Sequence, residues 1–146
     1  MQPTYDLERF VSEQDAVYAN VLAELRHGQK RTHWMWYIFP QLVGLGRTPN
    51  AMKFGISGLD EAIGYLGHPV LGPRLLECAA LVLGTVASSA VQILGNTDAM
   101  KLRSSATLFA EVSPAGSVFH QILTRYFGGV PDDLTLRLLQ GGQRGR

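Results

Sequence analysis

Cysteine is the scarcest residue in this chain: Cys78 stands alone among 146 residues. A single thiol closes no internal disulfide, which excludes a small stapled scaffold. Set in "LLECAALVL", it reads as a small buried apolar residue and not as a nucleophile. A long apolar run is missing as well. The most apolar stretch, "CAALVLGTVASSAV", falls short of the ~20 residues of a membrane span and is interrupted by glycine, threonine and serine. The opening "MQPTYDLERF" has no basic start leading into an apolar segment, so no secretory leader is read there and a soluble, cytoplasmic protein is expected. Net charge is nearly absent too. At +1 it gives no global reason to expect nucleic acid or an anionic membrane as partner, and it sets no oligomeric state. No His, Cys, Asp and Glu residues fall at metal-ligand spacing, so neither a metal nor a cofactor is expected. The widely spaced carboxylates suggest no glycosidase pair.

What is present fits an ordinary globular domain. A hydrophobic content of 46% beside 17% charged residues excludes a largely disordered chain, and the length suffices for one core. The recurring period is helical. Val17, Tyr18, Val21, Leu22 and Leu25 line one face, with Ser12 and Asp15 as the expected cap and Gly28 as the stop. Ahead of them "TYDLERF" reads as a short extra turn. Further helices are expected over "SGLDEAIGYLG", capped by Ser57 or Asp60, and over "PRLLECAALVLG", with Pro73 in its first turn and Gly84 at its end. His68-Pro69 forces an extended step between them. "SSAVQILG" gives a turn or two. "TDAMKLRSSATLFAEV" follows with Thr97 as cap, then "SPAGSVFHQILTRYFGG" ending at Gly128-Gly129, then "PDDLTLRLLQ" opened by Pro131 and Asp132. Strand signals are thin, since Pro40 cuts "HWMWYIF" short and no hairpin turn follows. The expected fold is therefore all-α. It is a single compact domain of about six to eight helices with short connections over residues 1–140, with a flexible tail over 141–146.

One helix breaks its own pattern. At about 100° per residue, Leu102, Ala106, Leu108, Phe109 and Val112 form an apolar arc, and Arg103, Ser104, Thr107 and Glu111 fall opposite. Asp98, Lys101 and Ser105 stand inside the apolar arc. A buried charge needs a partner, and Asp98 lies one turn from Lys101. This stripe is either a structural network or the wall of a pocket. A Ser–Lys catalytic pair has the right spacing, at i and i+4, but no identifiable oxyanion donor.

The other loud segment is "KRTHWMWYIFPQLVGLGR". From Arg26 to Lys53 every formal charge is positive, and no carboxylate stands between Leu25 and Leu59. That asymmetry favours an anion over a cation. "GLGR" offers backbone amides beside Arg47, although it is neither a P-loop nor a dinucleotide fingerprint. The aromatic body belongs to the core, with a ring-stacking platform as the functional alternative. His33 is a candidate ligand, acid or base, with a histidine bonded within the fold as the alternative.

Five motifs in order, "DLERFV", "HWMWYIFPQLVGLG", "EAIGYLGHPVLGPRL", "DAMKLRSSATLF" and "YFGGVPDDLTLRLL", resemble the family catalogued as domain of unknown function 1810, over about Tyr5 to Leu139. The resemblance implies a single, mainly helical bacterial domain and brings no reaction with it. Matching positions are Lys30, His33, Trp34, Trp36, Pro40, Gln41, Gly44 and Gly46, then Glu61, His68, Pro69 and Arg74, then Asp98, Lys101, Ser104, Ser105 and Thr107. Some members of that family carry a calpastatin label. An inhibitor of that kind is expected to be disordered and repetitive, and this chain is neither.

Two functions follow as expectations. In the first, an anionic small molecule, nucleotide-like or phosphorylated, sits in a basic, aromatic-lined pocket. Lys30, Arg31 and Arg47 supply charge, Trp34 or Trp36 a ring face, and Asp98, Lys101, Ser104 and Ser105 the inner polar contacts, with His33 and Gln41 at the edges. Hydrolysis of such a compound is its extension, with His33, Lys101 and Ser105 as catalytic candidates. In the second, the domain is a non-enzymatic interaction or structural module without a small-molecule site.

Overall fold

The computed structural model describes residues 5–86 and 89–144, the last three of these by backbone alone. Nine helices run through them: α1 (Glu8–Arg26), α2 (Met35–Ile38), α3 (Pro49–Lys53), α4 (Leu59–Gly67), α5 (Leu71–Gly84), α6 (Ala90–Leu94), α7 (Asn96–Ala110), α8 (Val118–Phe127) and α9 (Asp133–Arg144). Among the described residues the sole extended pairing is an isolated parallel bridge between Leu42 and Ile56. The fold is all-α, as the periodicity predicts. The helices beyond the expected number are α2 and α3, each too short to display a period.

Several boundaries differ from the sequence reading. "TYDLERF" is no separate turn: α1 starts at Glu8 and carries Ser12 and Asp15 in its interior, because Phe10, Val11 and Gln14 continue the buried face. Neither Ser57 nor Asp60 caps α4. Its cap residue is Gly58, and Glu61 reaches back to accept the Ser57 N–H at 2.8 Å. Gly95, and not Thr97, precedes α7. The last helix runs through residues 141–144 of the expected tail, and residues 145–146 lie outside the described residues. Other punctuation is as expected. Gly28 and Gly128 follow α1 and α8 with φ of 72° and 62°, and Asp132 caps α9 by accepting the Thr135 N–H at 3.0 Å.

Helix α7 runs through the middle, packed by α4, α6, α8 and α9, while α5 joins α1, α4 and α8. An aromatic file crosses the core: Phe10 meets Tyr65 edge-on at 5.1 Å, Tyr65 meets Phe109 at 5.5 Å, and Phe109 meets Phe119 at 5.6 Å. The wheel assigned Ser104 and Thr107 to a solvated side. Both are buried, because α7 has neighbours on more than one face. Ser104 Oγ donates to the Met100 carbonyl, and Thr107 Oγ1 donates to the Arg103 carbonyl while accepting the Asp132 N–H. Cys78 is fully buried, and loss of solvent pushes its thiol up to about 12.

The turn from α4 into α5 bends the chain by 91°. His68 takes the extended step, with φ −70° and ψ 134°, and its Nδ1 accepts the N–H groups of Val70 and Leu71. The bend also requires Gly72, since a Cβ there would stand 2.1 Å from the Leu66 carbonyl oxygen. Gly72→Ala is expected to destabilise the fold by about 2–3 kcal/mol, because two backbones must part to admit it. Chemical denaturation of the variant measures that loss.

Candidate functional site

Lys30 is where the two loud segments meet. Gly28 turns the chain back after α1, and the Lys30 N–H donates to the Ile93 carbonyl, at the end of α6, at 2.6 Å. The next four residues are folded around a residue that the sequence reading did not single out, Glu24. Its Oε1 accepts the Arg31 N–H at 2.7 Å, the Thr32 N–H at 3.0 Å and the Trp34 indole N–H at 3.0 Å, and its Oε2 accepts the Thr32 hydroxyl at 2.6 Å. Burial works to raise the pKa of Glu24, but the four donors outweigh it and hold the carboxyl at about 2. Sequence did carry one signal for this role: a buried indole N–H needs an acceptor, and Glu24 is the last carboxylate before a stretch without any.

The loop so fixed delivers Lys30 to α7. Lys30 Nζ lies 2.8 Å from Asp98 Oδ2, and Lys101 Nζ lies 3.2 Å from Asp98 Oδ1. Two ammonium groups thus share one carboxylate, with side-chain exposures of only 7% for Lys30, 17% for Asp98 and 19% for Lys101. Each ammonium also has an indole beside it. Lys30 Nζ is 5.1 Å from the Trp34 ring centre, and Lys101 Nζ is 3.8 Å from that of Trp36. Trp34 is buried and Trp36 is half-buried.

Ser105 continues the stripe on α7, four residues past Lys101 and seven past Asp98. It is 1% exposed, and its Oγ has no hydrogen-bond partner among the described residues. A buried hydroxyl without a partner is uncommon, because losing water without a replacement costs about 1–3 kcal/mol. No hydrogen bond joins Ser105 to Lys101, whose ammonium is turned to Asp98 and Trp36.

The remaining predicted residues stand outside this cluster. The Arg31 side chain is exposed, as are His33 and Arg47, and none of the three has an ion pair among the described residues. His33 takes part through its carbonyl, which accepts the Tyr37 hydroxyl at 3.3 Å. The Gln41 carbonyl accepts the Ile56 N–H in the bridge region. Ser104 turns its hydroxyl onto α7 itself. The glycine turn after Gln41 lies against α3 and α9, with Gly46 facing Ala51 and Gly44 facing Leu138. Among the described residues no group of His, Cys, Asp and Glu is arranged to hold a metal ion.

A cavity of about 370 Å³ opens elsewhere, between Leu83 and the α8 residues His120, Gln121, Thr124 and Arg125. It shares no residue with the Lys30–Asp98–Lys101 cluster. Its walls are largely self-engaged: His120 Nδ1 is 2.7 Å from Ser117 Oγ, and the Arg125 guanidinium donates to the Leu83 and Thr85 carbonyls.

The family model described as "Protein of unknown function (DUF1810)" matches residues 4–139. No curated protein matches the chain. A solved structure, described as that of the conserved hypothetical protein Rv1873 from Mycobacterium tuberculosis, is similar to it at 50% sequence identity. The likeness covers 93% of this chain and 97% of that one, with a TM-score of 0.91.

Proposed function

The chain belongs to the DUF1810 family of proteins of unknown function, and we propose that it binds a small anionic, nucleotide-like ligand at the Lys30–Asp98–Lys101 cluster beside Trp36. One observation carries this reading. Two ammonium groups converge on a single carboxylate at a largely desolvated point, leaving one positive charge without a direct counter-charge. Such a charge is costly unless an anion joins it. The half-buried indole of Trp36 beside Lys101 supports a ligand that also carries a ring. The proposal stops at binding. Hydrolysis by a serine needs a base on its hydroxyl, and Ser105 has none within hydrogen-bond reach among the described residues.

Thermal unfolding against nucleotides, pyrophosphate and sugar phosphates tests the reading. A ligand at about 100 times its dissociation constant is expected to stabilise the fold by about 2.7 kcal/mol. Lys101→Met is expected to remain folded and lose that gain. If no anion moves the midpoint of the unaltered chain, the cluster only clasps the 30–34 loop to α7 and the proposal is wrong.

A further inference from the structure

We propose that Asp98 sets the charge of the ligand, so that the site selects a singly charged anionic group over a doubly charged one. This rests on the anion-binding reading above. Lys30 and Lys101 bring two positive charges, and Asp98 removes one, with one oxygen committed to each lysine. Glu24, the other carboxylate at this end, is engaged by four neutral donors and forms no ion pair with either ammonium among the described residues. The charged or titratable side chains on the adjoining loop, Arg31 and His33, are exposed to solvent. Lys30, Asp98 and Lys101 together therefore hold one net positive charge where their side chains are mostly out of water. The ionised Glu24 stands on the far side of the Trp34 indole as a second negative charge set against a dianion.

An entering anion with one charge brings that point to neutrality. A second charge faces no further cation and sits beside the Asp98 carboxylate, where the low effective dielectric makes the repulsion count. Phosphate monoesters, with a second ionisation near pH ~6, enter as dianions at neutral pH. Phosphodiesters and carboxylates enter as monoanions. With the Trp36 indole beside Lys101, the ligand class is a ring compound bearing a single phosphodiester or carboxylate charge.

Calorimetric titration of the full chain at low salt and at about pH 8, where the monoester is dianionic, separates the possibilities. The probes are cyclic 3′,5′-AMP, AMP and benzoate. Cyclic AMP is expected to bind at least about tenfold more tightly than AMP, the scale of one unfavourable charge contact at a partly screened site. The ranking of benzoate against cyclic AMP distinguishes a carboxylate from a phosphodiester as the recognised group. In Asp98→Asn the net charge rises by one, and AMP is expected to overtake cyclic AMP. Ligand shapes are the same for both proteins, so the change of order reads charge. Should the variant fail to fold, the order in the unaltered chain decides. AMP binding as tightly as cyclic AMP in the unaltered chain, or an unchanged order in a folded Asp98→Asn, overturns the inference and leaves anion binding standing. Absence of all binding overturns both.

Discussion

Glu24→Ala is expected to cost about 2–3 kcal/mol, the scale of losing hydrogen bonds to a charged group and leaving a buried indole N–H unsatisfied. The carboxylate satisfies two backbone amides, a hydroxyl and the indole N–H of buried Trp34. Water can replace it at Arg31 and Thr32, which are exposed, but not readily at Trp34. Glu24→Gln is expected to lose less, since it keeps one acceptor oxygen, though its amide group then faces donors. Urea denaturation of the two variants gives the values. The same carboxylate makes stability depend on acid. Its folded value of about 2 lies below the unfolded 4.5, so its contribution is complete above pH 4.5 and is lost as pH falls toward 2. From the size of the shift, discounted for screening at the exposed loop, that contribution is roughly 2 kcal/mol. Unfolding free energies measured from neutral pH down to pH 2 should show this loss, and Glu24→Ala should flatten it. A variant with unchanged stability and an unchanged acid profile contradicts the role given to Glu24.

Asp98→Ala is the second large effect. Without the carboxylate, Lys30 and Lys101 are left with no anion between them in a mostly desolvated place. A loss of about 3 kcal/mol is expected, at the lower end for a broken buried pair because both lysines keep some exposure. Lys30→Met should cost less, since the Asp98–Lys101 pair survives it. Added phosphate should raise the midpoint of Asp98→Ala by more than that of the unaltered chain. Equal stability in Asp98→Ala would mean that solvent already neutralises the lysines.

These residues also mark how far sequence reading reaches. The helical class was legible because Val17 to Leu25 repeat with helical spacing, and because glycines at 28 and 128 and Asp132 carry their own end signals. The convergence of Lys30 with Asp98 was only partly legible. The stripe on α7 demanded a partner for Lys101, and Asp98 supplies it, but the second lysine comes from 68 positions earlier through a turn that no local pattern specifies. Glu24 carried only an indirect signal, as the last carboxylate before a stretch without any. Its importance arises from the chain doubling back at Gly28. Ser104 and Thr107 were misplaced for a related reason: a wheel assumes one buried face, and α7 has neighbours on more than one. Arg31, His33 and Arg47 were grouped with the site by charge and proximity in sequence, and the fold leaves their side chains in solvent.

The central claim is that an anion docks on Lys30 and Lys101 beside Trp36. The chain has two tryptophans, so its two indole N–H resonances report on the site separately. Trp34 is buried and bonded to Glu24, whereas Trp36 is half-buried beneath the Lys101 ammonium. In nitrogen-15 labelled protein titrated with cyclic AMP, AMP or pyrophosphate, the account predicts a saturable shift of the Trp36 indole resonance. That shift should exceed the one at Trp34 and vanish in Lys101→Met. Saturable binding that leaves the Trp36 resonance in place, or a shift that persists in Lys101→Met, would contradict it.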